Sequence, residues 1–133
     1  MVLLRPLITE TSLPYWTALN LGRIEIQRCD SCRKWVFYPR RFCSHCGGTA
    51  LTWTKVSGDA TVYTYTVAMT PVSEDFLDEV PLVLAVAELL EGVRIPTTLV
   101  QVATTEVSIG MKLKPVFDKE RLGDITLLRF RPS

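Results

Sequence analysis

Histidine occurs once in these 133 residues, as His45, and cysteine only four times. That scarcity excludes much chemistry. Acyl transfer and hydrolysis need a nucleophile and a base within hydrogen-bond reach of each other. His45 lies between cysteines and reads as a turn-exposed side chain, not a general base. No Gly-x-Ser-x-Gly elbow occurs, and no glycine-rich loop ends in Gly-Lys-Ser/Thr. Apolar runs are short as well. The longest, Val80 to Ala87, is far below a membrane span. The start, MVLLRPLITE, lacks the apolar stretch and cleavage pattern of a secretory leader. There is no repeat and no low-complexity tract. A soluble, cytoplasmic chain is the expectation.

Charge is nearly balanced at +1, but it is not evenly spread. Residues 1–56 hold 8 Lys/Arg and 3 Asp/Glu, whereas residues 57–133 hold 7 and 11. The cations gather as Arg23, Arg28, Arg33, Lys34, Arg40 and Arg41. An anionic partner would meet that half.

What is present in concentrated form is the cysteine pattern. Cys29-Asp30-Ser31-Cys32 and Cys43-Ser44-His45-Cys46 form two CxxC pairs separated by ten residues. A CxxC on a tight turn points two thiolates at one ion, and a second pair completes a tetrahedron. Zinc, at about 2.3 Å from each sulfur, suits four thiolates. A rubredoxin-type iron uses the same ligands and stays open. Disulfides would need an oxidising compartment. A four-thiolate zinc has no open coordination position, so it folds the protein and does not catalyse. With Cys29, Cys32, Cys43 and Cys46 on the metal, no thiol is left for acyl transfer.

Around this pattern the chain divides into three. Residues 1–22 contain a short helix over 11–21, with Ser12 as cap, Pro14 in the first turn and Gly22 past the end. Its stripe is Tyr15, Trp16 and Leu19, which docks either on its own ribbon or, as an anchor, on a partner. Residues 23–56 form the ribbon, with strands at 23–28, 34–38 and 51–56. Residues 57–133 read as all-β. Thr61 to Met69 alternates, placing Tyr63, Tyr65, Val67 and Met69 on one face. Leu82–Leu90 is almost continuously apolar, as for a strand covered on both faces. Pro96 marks the next strand as an edge or bulge. Strands over 111–117 and 125–130 complete five, which suit a small barrel, the OB-fold being the simplest. The fold class is therefore mainly β: a short N-terminal helix, a four-cysteine zinc ribbon, then a five-stranded OB-fold barrel.

Several segments occur together in a telling order: Leu13-Pro14-Tyr15-Trp16, Gly22-Arg23 leading to Cys29, Phe37-Tyr38-Pro39-Arg40 before Cys43, Ser57-Gly58, Ile109-Gly110-Met111 and Arg129-Phe130-Arg131-Pro132. In these the chain resembles the zinc-ribbon/OB-fold family of acyl-CoA-associated proteins, formerly domain of unknown function thirty-five. The resemblance implies a non-catalytic accessory subunit of a thiolase-like enzyme, either a thiolase or a retro-aldolase of lipid, aromatic or steroid degradation. It implies a heteromeric partner, with a 2:2 heterotetramer as the natural assembly, and a coenzyme A thioester as ligand of the complex. Thiolase chemistry would then come entirely from the partner.

Within that expectation, arginine forks suit the phosphates of CoA and aromatic faces suit its adenine. Lys34, Trp35, Phe37, Tyr38, Arg40 and Arg41 are the candidate CoA-binding residues. Tyr15, Trp16, Phe76 and Leu77 are the candidate partner interface, although the last two equally suit a loop folded over a barrel mouth. Two other readings stay open. One is single-strand nucleic-acid binding through the Tyr63 and Tyr65 face, which the acidic barrel half disfavours. The other is a structural adaptor with no CoA contact. No membrane partner is expected.

Overall fold

A computed structural model describes residues 6–70 and 74–133, with the side chains of residues 74–76 left out. Helix α1 spans Leu13–Asn20, with Pro14 in its first turn, where the missing N–H costs nothing. Ser12 does not cap it. Its hydroxyl is turned backward, accepting the Thr9 N–H at 3.0 Å and meeting the Thr9 hydroxyl at 3.2 Å. The Leu13 N–H instead donates to the Thr9 carbonyl at 2.8 Å and carries the turn into the helix.

The ribbon is an antiparallel sheet of β1 (Ile24–Cys29), β2 (Trp35–Val36) and β3 (Leu51–Val56), in the order β2-β1-β3. β2 is shorter than the expected 34–38. The chain leaves the sheet at Phe37 and wraps towards α1, where Phe37 and Tyr38 meet Tyr15 edge-on at 5.7 and 6.0 Å.

The remainder is a closed barrel of β4 (Ala60–Ala68), β5 (Leu82–Leu89), β6 (Arg94–Leu99), β7 (Lys112–Asp118) and β8 (Leu127–Pro132). The strand order is β4-β5-β6-β8-β7, closing back on β4. Closure removes free strand edges, but two seams are narrow. β4 pairs with β7 at Ala60–Leu113 and Thr61–Lys112, with Val62 bonded to Met111 and Gly110 just beyond, and β6 pairs in parallel with β8 at Leu99–Phe130, with the Val100 N–H on the Phe130 carbonyl. Most of β6 therefore has one ladder partner, which is why Pro96 is tolerated opposite Val86.

Two expectations for the barrel are corrected. The first placed Tyr63 and Tyr65 on one face. A register shift between Val62 and Thr64 inserts Tyr63 as an extra residue, so the period breaks there. Tyr63 points outward beneath the Arg94 guanidinium, 3.8 Å from the ring centroid, while Tyr65 packs on the core. The second expected β5 to be covered on both faces. Its buried side chains alternate instead, and Leu84 and Val86 are half-exposed on the outer face. A small barrel needs only its inner face filled.

One core runs through ribbon, helix and barrel. Leu19, Ile24, Ile26 and Val56 share a cluster with Val62, Ala87, Ile95, Leu113 and Phe130. At the end of α1 the Asn20 side-chain oxygen accepts the Thr126 N–H at 3.2 Å and the Thr126 hydroxyl at 2.6 Å, tying helix to barrel. The cysteine region forms a second, separate cluster of Cys29, Val36 and Cys43, flanked by Cys32 and Leu51.

The connection from ribbon to barrel turns at Gly58, which has φ +87°. A Cβ there would stand 2.8 Å from Pro115 Cγ and 3.1 Å from Ile24 Cδ1. Gly58→Ala should therefore cost about 2 kcal/mol, from the left-handed backbone and the clash together. A shift in urea midpoint at constant m-value measures it.

Candidate metal centre and the adjoining basic cleft

The two CxxC turns are built alike. In the first, the Cys29 N–H donates to the Lys34 carbonyl and the Arg33 N–H to the Cys29 carbonyl, both at 2.9 Å. In the second, the Cys43 N–H donates to the Gly48 carbonyl at 2.8 Å and the Gly47 N–H to the Cys43 carbonyl at 2.9 Å. Each turn needs a left-handed residue four places after its first cysteine. Gly47 fills one at φ +79°, and Arg33 fills the other at φ 67°.

These turns bring all four Sγ atoms within 4.8 Å of one another. Cys29–Cys46 and Cys32–Cys43 are each 3.6 Å apart. Four thiolates around one zinc at about 2.3 Å would be separated by about 3.8 Å, so the cradle has the size of a tetrahedral Zn–S4 site. Backbone N–H groups of Cys32, His45 and Gly48 point at the Cys29, Cys43 and Cys46 sulfurs at 3.5, 3.3 and 3.4 Å. These bonds favour the thiolate. The Cys46 and His45 N–H groups pull Cys43 down to about 6, and the Cys32 N–H lowers Cys29. At Cys46 the Gly48 N–H lowers the thiol, but the other three sulfurs and burial together push it up to about 11. The cluster is thus prepared for anions that repel one another, and a dication resolves that repulsion. Gly48 belongs to the cradle, because a Cβ there would lie 3.3 Å from the Cys46 sulfur.

Beside the first turn lies a cleft of about 600 Å³ between ribbon and barrel. Arg28, Arg33, Lys34, Trp35, Phe37 and His45 form the ribbon wall, and the β5–β6 turn, Glu91 to Arg94, forms the other. The Arg28 guanidinium stacks over Trp35 at 5.0 Å, and its Nε donates to the Arg33 carbonyl at 3.0 Å. His45 Nε2 lies 3.3 Å from the Trp35 carbonyl. Arg94 Nε donates to Glu88 at 2.9 Å. Glu91 is the one carboxylate in the lining. Its Oε2 accepts the Ser57 N–H at 3.0 Å, while Oε1 is buried with no hydrogen-bond partner among the described residues.

Of the six residues expected to bind CoA, this cleft gathers Lys34, Trp35 and Phe37. Tyr38 lies on the α1 side, its hydroxyl accepting from Trp16 Nε1 at 3.0 Å. Arg40 and Arg41 are exposed outside the cleft, with the Arg40 backbone clamped by the Gln27 amide at 2.8 and 2.9 Å. The sequence placed Arg28 and Arg33 among the cations that an anion would meet without assigning them to CoA, and it missed His45, Glu91 and Arg94 as lining. Arg28 and Arg33 flank the first CxxC and were legible as neighbours of it, but nothing local marks the β5–β6 turn as the opposite wall. Tyr15 and Trp16, expected as interface anchors, are buried in the chain's own core, and burial pushes the Tyr15 hydroxyl well above its usual range. Leu77 is exposed, while the side chain of Phe76 lies outside the described residues.

A four-thiolate ribbon carried on a five-stranded barrel, with no catalytic constellation among the described residues, defines a zinc-ribbon/OB-fold protein. The chain belongs to the DUF35 family of ChsH2-type proteins. Residues 16–52 match the ChsH2 rubredoxin-like zinc ribbon domain, and residues 53–118 match the ChsH2 C-terminal OB-fold domain. The chain is 36% identical over 130 residues to a probable enoyl-CoA hydratase alpha subunit from Thermomonospora curvata, covering 97% of this chain and 40% of that protein. It is 37% identical over 91 residues to a DUF35 domain-containing scaffold protein from Methanocaldococcus jannaschii, covering 68% and 64%. It therefore spans less than two thirds of either relative. Among solved structures, a chain of the Ltp2-ChsH2(DUF35) aldolase is 35% identical with a TM-score of 0.85, covering 96% of this chain and 98% of that one. A DUF35-family protein of unknown function from Sulfolobus solfataricus, at 16% identity and a TM-score of 0.67, shares the fold.

Two outcomes follow from the geometry. Elemental analysis should find one zinc per chain. Chelation should then abolish amide protection in the cysteine turns, at Arg33 and Gly47, while Val62 and Leu99 stay protected in the separate barrel core. Arg33→Gly should stabilise the chain by about 1 kcal/mol, read as a rise in melting temperature, because glycine occupies the left-handed region without strain.

Proposed function

We propose that the chain is a non-catalytic accessory subunit of an acyl-CoA-processing, thiolase-like enzyme, and that its basic cleft contributes to the channel holding the CoA nucleotide. The observation that carries this reading is the likeness, over nearly the whole of both chains, to a component of the Ltp2-ChsH2(DUF35) aldolase. The names of the other relatives, a hydratase alpha subunit and scaffold proteins, are in keeping with it. The zinc is structural in this account. Cys29, Cys32, Cys43 and Cys46 hold it, and it fixes the ribbon wall of the cleft.

The chemistry of the cleft supports a phosphorylated nucleotide. Arg28, Arg33, Lys34 and Arg94 supply cationic donors for phosphate oxygens. The Arg28–Trp35 stack offers a flat face for a purine. Arg40 and Arg41 take a lesser part, as charges that draw the anion towards the ribbon. Nucleophile, general base and oxyanion donors come from the partner, in a 2:2 assembly, in the cytoplasm. No helix among the described residues is long and apolar enough to cross a membrane. The nucleic-acid reading loses its stacking platform, because the bulge sends Tyr63 and Tyr65 to opposite faces.

Affinity purification of the tagged chain from its host, with mass identification of what accompanies it, tests the reading. A near-stoichiometric thiolase-fold subunit is the expected result, and recovery of nucleic acid without any CoA enzyme would overturn it. In the reconstituted complex, Arg28→Ala and Arg94→Ala should each raise KM for the acyl-CoA roughly tenfold, about one charge-assisted hydrogen bond. kcat should hold, and Arg40→Ala with Arg41→Ala should have a smaller effect. Unchanged KM in the first two variants leaves the adaptor without CoA contact.

A further inference from the structure

The connection from β4 to β5 contains a turn of 3-10 helix, Glu74–Glu79, on the outside of the barrel. It exposes apolar surface: Leu77 is 64% accessible, and Met69 at the start of the connection is 70% accessible. A short turn that presents its leucine to solvent has little hydrophobic reason to adopt one position. It is nonetheless held from below by ions. Arg129 on β8, almost fully buried, grips both oxygens of Glu79 at 2.8 and 3.1 Å. The same guanidinium reaches Asp118 at 3.1 Å and Thr98 Oγ1 at 2.8 Å. Arg121 grips both oxygens of Asp78 at 2.9 and 3.1 Å and also meets Glu79 at 3.1 Å.

A buried, fully paired guanidinium adds little net stability over an apolar replacement, and fixed geometry is what it supplies. Here it fixes a turn whose leucine faces outward. The four carboxylates of the turn outnumber the two guanidiniums, Arg121 and Arg129, that hold it, so its charge is negative in excess. No Lys or Arg occurs between Lys55 and Arg94, while Glu74, Asp75, Asp78 and Glu79 fall in the turn itself.

We propose that this clasped turn is a preformed docking element for the partner subunit, with Leu77 entering an apolar pocket rimmed by Lys and Arg. The charge of the turn selects that rim, and the Arg129–Glu79 clasp removes the ordering cost from the binding step. Glu79 is a positioning residue and Leu77 the contact. The proposal rests on the accessory-subunit reading and locates its interface.

Calorimetric titration against the thiolase-fold subunit recovered with the tagged chain tests it. Leu77→Asp should weaken binding at least tenfold at an unchanged melting temperature, since the side chain is already in water. Wild-type affinity should fall as salt is raised. Glu79→Gln leaves Leu77 in place but loosens the clasp, and should weaken binding severalfold while speeding amide exchange across residues 74–79. Wild-type affinity in Leu77→Asp, or an affinity indifferent to salt, overturns the docking element while leaving the accessory reading intact. Tight binding by Glu79→Gln with faster exchange overturns the role of the clasp. A wild-type chain that binds no such subunit overturns both readings at once.

Discussion

Everything in this molecule depends on where α1 puts Leu19. The helix has eight residues, too few to persist alone in water. It survives because Leu19 is wholly buried, with Tyr15 and Trp16 beside it, in a cluster that also contains ribbon and barrel residues. Burying one such leucine is worth about 2–3 kcal/mol. Its geometric effect is larger than that figure suggests. Ribbon and barrel are each small, and without a shared core they would be free to pivot about Ser57–Asp59. The helix, its Asn20–Thr126 bonds and the crowded Gly58 corner remove that freedom. The cleft between ribbon and barrel therefore has two walls in a fixed relation.

That rigidity gives the metal its meaning. The zinc site lies in its own cluster, apart from the main core, and has no open coordination position. What it does is hold Arg28, Arg33 and Lys34 around the first turn and His45 on the second, opposite Arg94 and Glu91. Two similar CxxC turns serve different ends: the first carries the charged lining, and the second, with its paired glycines, closes the cradle. In the proposed function, what the metal fixes is an arrangement of charge.

Much of this was legible in the residues. The CxxC spacing picked out the four cysteines whose sulfurs the fold gathers within 4.8 Å of one another. Alternating and apolar stretches located the strands to within a residue or two, and Pro96 announced a strand with a weak side. What escaped was non-local. The Val62–Thr64 bulge changes which face Tyr63 occupies, and no single-residue signal marks it. Ser12 resembles a helix cap in every local respect, yet Thr9 engages its hydroxyl. By pattern alone Tyr15 and Trp16 suit either the chain's own ribbon or a partner, and only the fold shows both buried, with Tyr15 edge-on to Phe37 and Tyr38. The β5–β6 turn became a cleft wall through closure of the barrel, some sixty residues from the arginines it faces.

The barrel's two narrow seams divide it mechanically. One plate is β4-β5-β6, joined by eight and six register pairs, and the other is the β7–β8 hairpin, joined by six. Between the plates, the ladder is two pairs on one side and one on the other. The narrower seam is sewn by one backbone bond, from the Val100 N–H to the Phe130 carbonyl at 2.9 Å, and by side chains, with Thr97 Oγ1 donating to the Leu128 carbonyl at 3.0 Å and Arg129 to Thr98 at 2.8 Å. Slow opening, or pulling on the C-terminus, would thus peel the hairpin away as one piece and leave a three-stranded sheet behind. The shell is better pictured as a hinged locket than as a uniform tube, with Arg129 as its catch.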